Sequence, residues 1–225
     1  MSVINTGTFI VVEGIDGVGK TTLIKNLKGY LERSTTNEVV VTREPGATEL
    51  GQKIRSLLLD PSQKIDPIAE LLLFYADRAQ HIADVIKPAM ERNAIVLCDR
   101  YDYSTVAYQL YGRGVGNNIN WDSFFSIAND WYAPWNHVVI YLHVDSPRQV
   151  ADRLKNKSLD RMEKESIDFY QRVIDGYISQ QLDNWIKIDI RDMAEHEVAI
   201  CTYAELELYM HENPMMLNNI QFKNA

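Results

Sequence analysis

The chain has 225 residues, of which 46% are hydrophobic, and a formal net charge of −8. That length suits one domain with room for a small mobile insert, and the apolar share supplies a sizeable core. The acidic balance argues against general electrostatic binding to nucleic acid or to an anionic membrane, so any cations that hold anionic substrates must be concentrated locally.

Thr8–Glu13 is apolar and β-branched, which predicts a buried strand. Gly14-Ile15-Asp16-Gly17-Val18-Gly19-Lys20-Thr21 follows and fits G-x-x-x-x-G-K-[ST], the phosphate-binding loop. Thr22 to Arg33 then repeats apolar residues at Leu23, Leu27, Tyr30 and Leu31, as a helix would. The loop therefore joins a strand to a helix N-terminus, where unsatisfied N–H groups favour anions. In such a loop Lys20 reaches the β- and γ-phosphates of a nucleotide, and the Thr21 hydroxyl ligates Mg²⁺.

Glu38–Thr42 predicts a short buried strand, with Arg43-Glu44-Pro45-Gly46 as its exit loop. Ala47 to Leu59 is amphipathic and stops at Asp60-Pro61. Asp66-Pro67 pairs an N-cap with an N1 proline, and a long helix runs on to about Arg92, with Pro88 bending its last turn. Ala94–Cys98 is a fully apolar strand ending in Asp99-Arg100, and Tyr101–Tyr111 reads as helix. Residues 112–118 form a glycine-rich loop, followed by a weakly patterned helix at Trp121–Asp130. His137–His143 is another buried strand.

Asp145-Ser146-Pro147 caps a helix to about Leu154, and a basic stretch, Lys155 to Ser158, interrupts. Asp160–Leu182 is predicted helical, Trp185–Ile190 is a last strand, and Glu195–Tyr209 a last helix. The tail 212–225 shows no packing signal and is expected to be disordered or to pack on a partner. Cys98 and Cys201 suggest neither a disulfide framework nor a zinc site, so a reducing cytoplasm is the simple reading. No signal-peptide pattern opens the chain, and no apolar run approaches a bilayer-spanning length.

Strands alternating with helices predict an α/β fold of P-loop NTPase type. Its three layers have a parallel sheet of about five strands between helices, with a mobile lid near 153–161 on a single domain spanning 1–211. Ligands of such sheets bind at the carboxyl ends of the strands. That brings the loop 14–21, Arg43, Asp99 and Arg100 to one edge. Asp99 closes an apolar run as a Walker-B carboxylate would, or else caps the next helix. Arg43 and Arg100 offer paired donors to a second phosphate, or else make surface ion pairs. Phe74 and Arg78 share a helix face with Glu70. They could stack on and hydrogen-bond a base, although spacing alone favours a core phenylalanine and a snorkelling arginine. Ser104, Thr105 and Tyr108 share another face, with Gln109 adjacent; hydroxyl-rich faces are ordinarily solvated.

Taken together, the runs Glu13 to Thr22, Thr42-Arg-Glu-Pro-Gly46, Phe74-Tyr-Ala-Asp-Arg78, Asp99-Arg100-Tyr101, Ser104-Thr-Val-Ala-Tyr-Gln109 and Leu159-Asp-Arg-Met-Glu163 resemble the bacterial-type thymidylate kinases, in order, across residues 8 to 190. The resemblance implies phosphorylation of dTMP to dTDP with ATP and Mg²⁺, by a homodimer. It implies that residues 14–22 hold ATP, with Lys20 acting on the transferred group and Thr21 and Asp99 serving the metal. Asp16 would accept from the sugar 3′-hydroxyl, and Arg43 and Arg100 would hold the dTMP phosphate. Phe74 would stack on thymine, and Arg78 would donate to one of its carbonyls. Ser104, Thr105 and Gln109 would line the base edge, and Tyr108 would sit under the sugar.

Two departures stand out. Ala47 replaces the second glycine of Arg-Glu-Pro-Gly-Gly-Thr, which is tolerable only if its φ is not positive. The lid carries Lys155 and Lys157 where arginines are usual, leaving Lys155, Lys157, Arg100 or Arg161 to reach the transferring phosphoryl group. Arg161 lies four residues before Glu165, a spacing that suits a structural ion pair. A kinase for another nucleotide or nucleoside is the nearest alternative. A GTPase-like switch is more remote, because Asn156-Lys157-Ser158-Leu159 lacks the guanine motif's carboxylate.

Overall fold

The structure is a computed structural model that describes residues 7–115, 137–150, 159–181, 183–213 and 220–223. The expected helix at 121–130 and most of the lid, with Lys155 and Lys157, lie outside the described residues.

Five strands, β1 (Thr8–Glu13), β2 (Val39–Arg43), β3 (Ile95–Asp99), β4 (His137–His143) and β5 (Trp185–Asp189), form one parallel sheet in the order β2-β3-β1-β4-β5. Alternate residues feed the two faces. Phe9, Val11, Val96 and Cys98 pack with Ile82, Ile86 and Met90 on one side, while Ile10, Val12, Leu97 and Ile140 join Leu23, Leu27 and Leu206 on the other. A sheet covered on both faces needs apolar residues at consecutive positions, which is why its strands read as continuous apolar runs. The two edge strands depart from this: in β5 exposed Lys187 sits between buried Ile186 and Ile188, and in β2 Val41 stays 45% exposed, so its expected full burial does not occur.

Among the described residues the helices include α1 (Lys20–Ser34), α2 (Glu49–Leu59), α3 (Pro67–His81), α4 (Lys87–Glu91), α5 (Asp102–Thr105), α6 (Ile167–Ile178) and α7 (Glu195–Glu212). Thr48 and Asp66 cap α2 and α3 by accepting from Gly51 N and Ile68 N. The long helix expected to reach Arg92 widens into a π-helical segment, Ile82–Ile86, just before Pro88. A proline ring clashes with the carbonyl four residues back, and a wider turn relieves that clash. The helix after Arg100 also widens, from α5 into a π-helical segment Val106–Gly112, where Gly176 of α6 packs against the Ala107 backbone.

The helix expected from Asp160 starts instead at Ile167. Ser166 caps it by accepting from Phe169 N, while Asp160 Oδ1 accepts from Met162 N and Glu163 N and holds a separate turn. Tail residues 220–223, expected to lack packing, lie on the α1–β2 connection. Phe222 bridges Thr35, and Lys223 N donates to Ser34 O.

Candidate active site

Strand order reverses around β1, which pairs with β3 on one side and β4 on the other, and the phosphate loop leaves its carboxyl end. This is the crevice position at which open parallel sheets bind ligands. The register sets Asp99 beside Val12 and Arg43, so the ends of β1, β2 and β3 converge as expected.

Within the loop, Ile15 and Val18 are each 2% exposed and anchor it from beneath. Gly14 has φ 139°, and a Cβ there would stand 2.7 Å from Leu142 O, so only glycine fits between loop and β4. Gly19 precedes α1 with φ 105°. Lys20 Nζ donates to Gly14 O at 3.0 Å and Ile15 O at 2.9 Å. Burial, and then the Arg100 charge, push its pKa down to about 8. Asp16, Gly17, Gly19, Lys20, Thr21 and Thr22 line a polar cleft completed by Arg43, Arg55, Asp99, Arg100, Asp160 and Glu163. Asp99 Oδ1 is buried with no hydrogen-bond partner among the described residues, and α5 has no side-chain cap, so Asp99 is not a helix cap.

A second cleft, with about 560 Å³ of empty space, adjoins the first and shares Asp16, Glu44, Arg55, Arg100 and Asp160 with it. Phe74, Arg78, Tyr101, Ser104, Thr105, Tyr108 and Gln109 line it. Arg78 does not snorkel. It is 2% exposed and donates to Glu44 Oε2 at 2.7 Å, Thr105 Oγ1 at 3.0 Å and the Tyr101 carbonyl at 2.9 Å. Nor is the hydroxyl-rich segment solvated. Ser104 and Tyr108 both accept from Arg100, while Thr105 meets Arg78 and Gln109 donates to Glu70 at 2.8 Å.

Arg100 stands at the junction of the two clefts, with φ 69°. Positive φ in a non-glycine residue concentrates at functional sites. Its guanidinium donates to Asp16 Oδ1 at 2.7 Å, Gly14 O at 3.0 Å, Ser104 Oγ at 3.1 Å and the Tyr108 and Tyr177 hydroxyls at 3.0 Å. Asp16 also accepts from Tyr108 at 2.9 Å and Tyr170 at 3.1 Å. Burial would raise the Asp16 pKa, but Arg100 and Lys20 outweigh it and hold the carboxylate well below its ordinary range.

Arg43 is exposed and lines only the phosphate-loop side, while Arg55 of α2 lines both clefts and donates to Pro45 O at 2.9 Å. Arg55 escaped the sequence reading because nothing in an amphipathic helix marks which arginine turns to a cleft. Tyr170 and Tyr177 were missed too, although polar-tipped residues seven apart on the apolar face of the amphipathic α6 were a readable signal. Ala47 is not among the residues with positive φ, so its Cβ is tolerated. Arg161 does not pair with Glu165. It donates to Leu58 O at 2.7 Å and Glu70 Oε2 at 2.6 Å, and Glu165 takes Arg113 instead. Arg161 thus ties the foot of the lid to α2 and α3. A smaller groove beside the loop is lined by Val18, Thr22, Leu23, Met193 and Val198.

A phosphate loop at the reversal point of a five-stranded parallel sheet, opening on a second cleft walled by arginines, defines a P-loop nucleotide kinase. Comparison with known proteins narrows the class. A sequence model of the thymidylate kinases matches residues 12–199. The chain is 41% identical over 184 residues to the thymidylate kinase of Carboxydothermus hydrogenoformans, covering 81% of this chain and 88% of that protein. It is 40% identical over 220 residues to that of Thermosynechococcus vestitus, covering 89% and 88%. A crystal structure of thymidylate kinase from Ehrlichia chaffeensis superposes with a TM-score of 0.67 at 32% identity, over 89% of this chain and 98% of that one. The chain belongs to the thymidylate kinase family.

Proposed function

We propose that the chain, as one kinase domain over residues 1–211, transfers the γ-phosphoryl group of ATP to dTMP, giving dTDP and ADP for dTTP synthesis. The observation that carries this reading is the shared wall between the two clefts, where Asp16, Arg55 and Arg100 face both. That geometry supports in-line placement of a donor and an acceptor phosphate. The arginines at the junction favour an already phosphorylated acceptor over a nucleoside. The acceptor phosphate is itself the nucleophile, so no general base is required.

In this reading dTMP enters the cleft with its base between Phe74 and Arg78, Ser104, Thr105 and Gln109 beside it, Tyr108 under the sugar and Asp16 at the 3′-hydroxyl. Arg55, Arg43 and Arg100 orient its phosphate. The ATP phosphates lie on residues 14–22, and adenine takes the groove between Val18 and Met193. Lys20 leaves the loop carbonyls for the γ-phosphate, where charge develops. Asp99, whose Oδ1 is orphaned, and Thr21 line one cleft and would suit Mg²⁺, which takes few protein ligands and keeps phosphate and water. When bound there, Mg²⁺ would neutralise charge on the β- and γ-phosphate oxygens. A homodimer is supported by exposed Leu50 and Leu57 of α2 and Leu72 of α3. A cytoplasmic location is supported by two unpaired cysteines.

The deciding assay is ADP release with a panel of nucleoside monophosphates. dTMP should be the best acceptor by kcat/KM; equal use of a purine monophosphate or of a nucleoside would overturn the reading.

Two predictions follow from the cations. Arg161 is committed to Glu70 and Leu58, so the lid cation should be Lys155 or Lys157. Replacing both lysines by alanine should lower kcat by about tenfold or more, with the KM for dTMP nearly intact. Arg161→Ala should instead lower the melting temperature. A silent double variant beside a folded but inactive Arg161→Ala would reassign the role. The second concerns pH. Lys20 is charged at neutral pH and discharges near pH 8, so kcat/KM for ATP, which reports the free enzyme, should fall as the pH rises through that value. A profile flat to about pH 10, where an ordinary lysine titrates, would remove the ammonium from this role.

A further inference from the structure

Behind Arg78 a chain of buried polar groups runs back to the edge of the sheet. Glu44 Oε2 accepts from Arg78 Nε at 2.7 Å, and its Oε1 meets His81 Nδ1 at 2.9 Å. His81 Nε2 lies 2.6 Å from Thr42 Oγ1. Glu44 is 4% exposed, Thr42 is 8% exposed and His81 is wholly buried. A carboxylate accepts, so Nδ1 carries a proton toward Glu44, and Nε2 and the Thr42 hydroxyl share the second hydrogen bond. Each group thereby has one orientation. Thr42 is anchored in β2, and His81 stands three residues beyond Arg78, in the last turn of α3.

We propose that His81 is a positioning residue for base recognition, holding the Arg78 guanidinium in the cleft through Glu44. This rests on the reading of Arg78 as the group that recognises thymine. Without the Nδ1–H, the buried Oε1 of Glu44 loses its donor and the carboxylate turns to find another, drawing Arg78 Nε with it. A second carboxylate is close behind. Burial, with the Glu44 charge next, pushes Asp77 up to about 6, so Glu44 cannot relax toward it without repulsion. A guanidinium that shifts within the cleft loses its discrimination between the thymine carbonyl and the cytosine amino group.

The test is steady-state kinetics with dTMP and dCMP as acceptors on four variants. His81→Ala should raise the KM for dTMP about tenfold, with kcat and the KM for ATP within about twofold of the parent. Its preference for dTMP over dCMP should fall by a similar factor. His81→Asn places an amide N–H where Nδ1 was and should recover most of the loss. Thr42→Val, which removes only the far hydroxyl, should move the same parameters in the same direction by less. If kcat and both KM values shift together and His81→Asn gives no rescue, His81 merely supports the fold and the proposal fails. If His81→Ala does not fold, Thr42→Val decides, and an unchanged KM for dTMP overturns the proposal. Arg78→Ala separates the two levels. Unaltered base preference in that variant removes the thymine role of Arg78 and the proposal with it. Lost preference there, beside unchanged His81 and Thr42 variants, removes the positioning chain alone.

Discussion

Lys20→Ala should lower turnover by about a hundredfold or more, the cost of losing a preorganised charge where charge develops in the transition state. Lys20 is 7% exposed, and its ammonium is held by the Gly14 and Ile15 carbonyls. It is therefore already largely desolvated before ATP arrives, and its move to the γ-phosphate exchanges carbonyl acceptors for phosphate oxygens rather than water. Its removal also deprives Asp16 of a neighbouring cation, although Arg100 remains to hold that carboxylate. The folded variant should thus bind dTMP nearly as well as the parent while turning over slowly. Single-turnover kinetics with ATP and dTMP measure this directly. Near-parental turnover would mean that the loop binds nucleotide without its lysine serving catalysis.

Glu70→Ala should destabilise the fold by about 3–5 kcal/mol, as expected when one partner of a buried ion pair is deleted. Glu70 is wholly buried on α3 and accepts from Gln109, Arg113 and Arg161. Burial would raise its pKa, but Arg113, Gln109 and Arg161 outweigh that and hold it below its ordinary value. A depressed carboxylate contributes stability above its unfolded pKa near 4.5, and that contribution is lost as the pH falls through the folded value. Denaturant titration at neutral pH should show the full loss, and the gap between variant and parent should narrow in acid. A loss below about 1 kcal/mol, the size of an exposed pair, would show that the two arginines find other partners.

Much of the scaffold was legible because it rests on local rules. The runs at Thr8–Glu13, Ala94–Cys98 and His137–His143 are apolar without alternation, and only a sheet covered on both faces asks for that. Asp66-Pro67 announced α3, because the cap and the fixed proline φ act within one turn. Less legible were the places where a local preference met a tertiary demand. The widening at Ile82–Ile86 depends on Pro88, and that at Val106–Gly112 lies where Gly176 packs on Ala107. The start of α6 moved from Asp160 to Ile167 because Ser166 is the better cap and Asp160 was engaged by its own turn.

The sequence by itself determined the alternation of strand and helix, the phosphate loop with Lys20 and Thr21, and the expected meeting of Arg43, Asp99 and Arg100 at one edge. These follow from period, cap and motif, all of which are properties of neighbouring residues. Only the tertiary structure decided which partner each charge takes. Arg161 sits four residues from Glu165 yet pairs with Glu70, ninety-one residues away. Arg78, whose spacing suited a solvated arginine, is buried against Glu44, Thr105 and Tyr101. Arg55 carries no mark in its helix and still faces both clefts. The physical reason is that an ion pair acts over a few ångströms in space with no preferred sequence separation. Burial then decides which pairs matter, because a desolvated charge must find its partner within the fold.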